Sequence, residues 1–224
     1  MNTVLAWLDT KYIKERKAKP VDKKLELLPN EHLTGPVNYP TFSDSQKEAV
    51  GRYMDNSEWS NIPLRKGVKA FAAASPSVSE LDSVTGSTKI KKPASVFRGL
   101  ATNFENIKPG TIINDKGYTS TSLDPFQAND FSRPSSEGKK TVEENRKRAW
   151  TKKKPVERML AHIHLPARTK GAHLPTVLPR HRNADENEFL LPRDSRFKVI
   201  GHEKRKIGKT KFHIVHMIHL PKKD

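Results

Sequence analysis

Glu186 and Glu188 stand at the head of an apolar-rich run, in Asp185-Glu186-Asn187-Glu188-Phe189-Leu190-Leu191-Pro192 and on to Ile200. This spacing constrains the chain more than any other feature. If the run begins as a strand, residues two apart point to one side, and both carboxylates enter the same small volume. On a helix, residues two apart do not face each other. Two carboxylates on one face repel unless a cation lies between them, and a positively charged transition state is such a cation.

The chain is long enough for one domain with a core and a short appendage, at 224 residues. Its hydrophobic fraction is 34% and its charged fraction 30%, which predicts a folded core with solvated, partly disordered segments. The net charge of +17 favours polyanionic partners: nucleic acid, acidic protein surfaces, anionic lipid or a phosphorylated cofactor. Charge alone does not choose among them. No cysteine is present, so disulfides and thiolate-bound metals are excluded. The apolar stretch Val4 to Leu8 is too short for a signal peptide and has no basic region before it. No run approaches membrane-spanning length. The expectation is a soluble protein of a bacterial or host cytoplasm, delivered with a virion or as an effector.

Residues 1–38 read as a basic arm or linker, with a helix over Thr3 to Lys17 and a breaker at Gly35-Pro36. Residues 39–224 read as the folded domain. Ser43 followed by Gln46 has the form of a capping box, predicting a helix to about Asp55. Trp59 to Gly67 reads as a break, and Val68 to Asp82 as a second helix. Strands are predicted at Ser95–Leu100, Thr111–Ile113, Gly117–Leu123, Met159–Leu165, Glu188–Ile200 (in one or two pieces) and Phe212–Leu220. Asp124-Pro125 starts another helix, to about Phe131. Residues 132–157 are irregular and lysine-rich, and are expected to form a basic mobile insertion with nonspecific anion affinity. Helices ahead of strands make this an α+β domain.

Three pieces stand in order: Arg98-Gly99 in a strand, Ser120-Thr121-Ser122 ending a strand, and Glu186-x-Glu188. The set resembles the arginine–serine–glutamate class of mono-ADP-ribosyltransferases, which includes bacterial toxins, phage enzymes and vertebrate ecto-enzymes. Leu64-Arg65-Lys66-Gly67, Ile163-His164-Leu165-Pro166 and the run from Glu188 to Ser195 extend the resemblance over about residues 40–220. It implies two packed, mainly antiparallel sheets flanked by helices, with NAD in the cleft between them. It also implies transfer of ADP-ribose from NAD to a protein. Glu188 would stabilise the oxocarbenium-like ribose, as carboxylates do in glycoside cleavage. Ser120 would hold Glu188, while Thr121 and Ser122 would support the wall and the nicotinamide pocket. Arg98 would bind the NAD phosphates, and Gly99 would admit the nicotinamide amide to the backbone. Glu186 would orient or deprotonate the acceptor, and a carboxylate in this position accompanies arginine acceptors. The loop Pro179 to Asn183 would flank that acceptor. Its Arg180, His181 and Arg182 place cations there, which suits an acidic or nucleic-acid-associated host protein.

No metal is expected. His213, His216 and His219 do not share a strand face, and the chemistry needs none. Two other readings remain at this point: NAD hydrolysis or reaction with nucleic acid, and a basic nucleic-acid-binding virion protein with an inactive transferase fold. The lack of a signal peptide and of disulfides points away from the vertebrate ecto-enzymes and towards a bacteriophage or bacterial protein.

Overall fold

A computed structural model describes residues 27–34, 39–67, 75–100, 107–130, 159–207 and 210–221. The expected helix at Thr3–Lys17 and the insertion at 132–157 lie outside these residues.

Among the described residues, three α-helices precede the first strand. Helix α1 (Asp44–Asp55) begins with the expected capping box: Gln46 N–H donates to Ser43 Oγ at 3.2 Å, and Ser43 N–H donates to Gln46 Oε1 at 2.9 Å. Ala49, Val50, Tyr53 and Met54 form its buried face, at helical spacing. Helix α2 (Glu58–Arg65) occupies the stretch expected as a break. Pro63 lies inside it and forfeits one backbone donor, and the helix ends two residues later. Gly67 then takes φ 75°, the left-handed conformation that closes such a turn. Helix α3 (Pro76–Ser87) has Pro at its first position and runs five residues past its expected end; residues 68–74 are outside the description.

The strands are β1 (Ala94–Leu100), β2 (Ile112–Asp115), β3 (Thr119–Ser122), β4 (Met159–Leu165), β5 (Ala172–His173), β6 (Glu188–Leu191), β7 (Ser195–Ile207) and β8 (Thr210–Leu220). Helix α4 (Pro125–Asp130) follows β3, and its first turn is capped by Asp124, whose Oδ1 accepts from Phe126 N–H at 2.8 Å. A single turn, α5 (Leu174–Val177), follows β5. The hydrogen-bonded order is β2-β7-β8-β4-β1-β3-β6-β5. All pairs are antiparallel except β4 with β8. The α+β class and mainly antiparallel pairing match expectation. The ladder is continuous, however: the halves β2-β7-β8-β4-β1 and β3-β6-β5 meet where β1 meets β3, through the pair Phe97↔Ser122.

Every residue of β4 is buried, as suits a strand with partners on both edges and cover on both faces. Val96, Ala161, Ile163, Val199, Val215 and Met217 join Phe189 and Leu191 in one core. A second core packs α1, α2 and α3 on the other half, through Val50, Tyr53, Leu64, Leu81, Tyr118 and Leu190. This second core sets the helices over β3 and β6. Residues 27–34, at the end of the segment read as an arm, are pinned to β1: Leu28 N–H donates to Ser95 Oγ at 2.9 Å, and Asn30 Nδ2 donates to the carbonyls of Ser95 and Leu123. Among the described residues, no helix is long and apolar enough to cross a membrane.

Candidate active site

A cleft of about 420 Å³ opens between the α1–α2 connection and the strands β1, β3 and β6. Arg98, Gly99, Ser120, Thr121, Glu186 and Glu188 all line it. Ser122 does not, but it stands directly opposite Glu188 in the β3–β6 register. One place in the fold thus gathers the residues singled out from sequence.

The row Ser120-Thr121-Ser122 works as three clips on the glutamate segment. The Ser120 hydroxyl lies beside the Glu188 carboxyl and favours its charged form. Thr121 Oγ1 donates to the carbonyl of Phe189 at 2.5 Å. Ser122 Oγ donates to the carbonyl of Glu186 at 2.9 Å, and accepts from Asp124 N–H at 3.1 Å. Three successive hydroxyls thereby hold the opposing segment at residues 186, 188 and 189.

The two glutamates share the cleft, but by a route the strand argument does not contain. Only Glu188 begins β6. Glu186 ends a 3-10 turn (Ala184–Glu186), and Asn187 between them is left-handed at φ 48°. Asparagine tolerates that conformation better than most residues. The turn swings Glu186 to the rim, where it is half-buried, while Glu188 is only 6% exposed. Burial pushes the Glu188 carboxyl up to about 7; Ser120 opposes this, Glu186 adds to it, and Arg98 opposes it weakly. Burial, then Asp185, raises Glu186 as well.

Asp115 organises the cationic corner. Arg65 holds it with two hydrogen bonds, Nε to Oδ1 at 2.8 Å and Nη2 to Oδ2 at 2.9 Å. Gly117 N–H and Thr119 Oγ1 also donate to it, and Arg98 Nη1 lies 3.5 Å from Oδ2. Burial lowers the Arg98 pKa, against the pull of Asp115. Arg98 Nη1 has no hydrogen-bond partner among the described residues, although its side chain lines the cleft. Such a donor set suits an anion entering from the cleft.

Tyr53, Asn61 and Asp115 were not singled out from sequence; Arg65 was noted only as part of the turn ending at Gly67. Tyr53, Asn61 and Asp115 each sit in a different element, so no local pattern joins these three. The loop expected beside the acceptor is tied back to α1: Arg182 Nη2 lies 2.7 Å from Asp55 Oδ1, His181 Nε2 lies 3.4 Å from the same atom, and Asn183 Nδ2 donates to the Met54 carbonyl at 2.7 Å. Phe131 and beyond, up to residue 158, lie outside the description. Among the described residues, no group of three or more His, Cys, Asp or Glu side chains could hold a metal.

The ADP-ribosyltransferase exoenzyme family model matches residues 9–220, and the chain belongs to that family. ADP-ribosyltransferases use NAD as substrate. Solved structures with the same fold include Plx2a, an ADP-ribosyltransferase toxin from Paenibacillus larvae (18% identity, TM-score 0.59, covering 81% of this chain and 88% of that one). C3stau2 from S. aureus, solved with NAD, aligns at 18% identity and TM-score 0.59 over 84% of this chain and 92% of its own. The Clostridium limosum C3 exoenzyme aligns at 17% identity and TM-score 0.56 over 83% and 89%. No curated protein sequence matches the chain.

Proposed function

We propose that this protein transfers ADP-ribose from NAD to an arginine side chain of a host protein, with Glu188 as the catalytic carboxylate. The observation that carries the reading is a deeply buried acid, held by one hydroxyl, in the same cleft as an arginine with an unused donor. NAD enters with its pyrophosphate towards Arg98, and its nicotinamide end towards Gly99 and Ser120. The bond from ribose C1′ to the nicotinamide nitrogen breaks, and its electron pair leaves with nicotinamide. The ribose becomes cationic beside Glu188. A charge that exists only in the transition state is the one such an anion stabilises selectively.

Glu186, at the rim and near Glu188, receives the acceptor. A guanidinium pairs well with a carboxylate, and its nitrogen attacks C1′ once a proton passes to Glu186. Support for a cationic acceptor comes from the acids Glu58 and Glu186 along the cleft. The tie from Arg182 to Asp55 also draws a competing guanidinium away from Glu186.

Incubation with labelled NAD and a bacterial or eukaryotic lysate tests this, with mass spectrometry of the labelled residue. Label on arginine is expected. Label on another side chain corrects the acceptor; free ADP-ribose alone corrects transfer to hydrolysis; labelled nucleic acid changes the acceptor class; no turnover supports the inactive virion-protein reading. Glu186→Gln should lower transfer about 10²-fold while hydrolysis falls less than tenfold.

A further inference from the structure

Behind Ser120 runs a chain of buried polar groups whose first two hydrogen-bond directions are forced. Tyr118 N–H can only donate, and it donates to Asn61 Oδ1 at 2.8 Å. That fixes the amide, so Asn61 Nδ2 faces Tyr53 and donates to its phenol oxygen at 2.9 Å. The Tyr53 hydroxyl, 2.8 Å from Ser120 Oγ, has one proton left to give, and Ser120 is where it goes. That leaves the Ser120 proton for the Glu188 carboxylate beside it. Asn61 and Tyr53 are 3% and 1% exposed, so water does not compete for these bonds. Gly117 makes the first link possible: a Cβ there would lie 2.6 Å from Asn61 Oδ1.

We propose that Asn61 and Tyr53 are positioning residues that act through Ser120, orienting its hydroxyl proton onto Glu188. Burial is the main cause of a raised Tyr53 pKa, so the phenol keeps its proton throughout the working range. Chains of this kind polarise each member in one direction, which strengthens the last bond. The chain links α1 and α2 to β3 and β6, so the two halves of the cleft share one polar spine. This inference rests on the role given to Glu188.

The test is a double-mutant cycle on NAD cleavage by the full-length protein, with kcat and KM for NAD read separately. Tyr53→Phe should lower kcat about tenfold with KM within twofold of wild type. In a Ser120→Ala background the same change should cost less than twofold, because the group it acts through is gone. Asn61→Asp still accepts from Tyr118 but cannot donate to Tyr53, so the phenol proton turns away from Ser120. It should lower kcat at least tenfold, and adding Tyr53→Phe should cost less than twofold more. A full tenfold loss on Tyr53→Phe in the Ser120→Ala background would overturn the relay, as would a rise in KM with kcat unchanged or a silent Asn61→Asp. If Glu188→Gln is inactive while Tyr53 and Ser120 effects add, only the relay fails. If Glu188→Gln keeps turning over, the reading beneath it fails.

Discussion

Asp115 and Glu188 are both poorly exposed carboxylates on strands beside one cleft, and their surroundings differ in kind. Asp115 receives two donors from Arg65, one each from Gly117 and Thr119, and lies near Arg98. Glu188 has the Ser120 hydroxyl, a second carboxylate nearby and Arg98 as a weaker influence. The first acid is saturated and fixes the arginines. The second is left short of cations, so it has unused capacity for a positive charge that arrives with the substrate. Stability is concentrated at Asp115, and reactivity at Glu188.

Breaking the saturated corner should have the largest effect on folding. Asp115→Asn leaves two guanidinium groups without their anion and should destabilise by about 3 kcal/mol, read by chemical denaturation. An effect below about 1 kcal/mol would equate the two acids.

Glu188→Gln should act in the opposite direction. The folded-state pKa of about 7 lies above the ordinary 4.5. The unfolded chain therefore loses this proton first, and wild-type stability falls as pH rises from about 4.5 to about 7, then levels. The variant has no such loss. It should be more stable than wild type above pH 7 by up to about 3 kcal/mol, with the gap closing towards pH 4.5. Parallel stability curves for the two proteins would contradict an underpaired acid.

The smallest effect should fall outside both corners. Ser43→Ala removes one side of the α1 capping box and should cost about 1 kcal/mol, with NAD turnover unchanged. If turnover fell as well, the α1 N-terminus would belong to the site.

Much of this molecule is legible in local residues, and the reasons are physical. Ser43 and Gln46 mark a helix start because each satisfies the other's backbone donor. Asp124-Pro125 marks the start of α4 because the Asp124 carboxylate accepts from Phe126 N–H and Pro125 has no donor to satisfy. Met159 to Leu165 reads as a strand because it is apolar for a strand's length. The split of Glu188 to Ile200 into β6 and β7 follows from Pro192 and from Asp194, which turns the chain at φ 62°. The α2 helix was hidden because Pro63 suggests a break, while Leu64 packs into the second core. Glu186 reached the cleft by a left-handed Asn187, a feature no strand periodicity contains. Tyr53, Asn61 and Asp115 are farther from local signals: their meaning arises only when α1, α2 and β2 pack around β3.

The most direct measurement is nicotinamide release from NAD by wild type and by Glu188→Gln at pH 8, with circular dichroism on the same samples. The account predicts a fall of about 10³-fold or more in a variant that is folded and at least as heat-stable as wild type. Release within tenfold of wild type by a folded Glu188→Gln protein would contradict it.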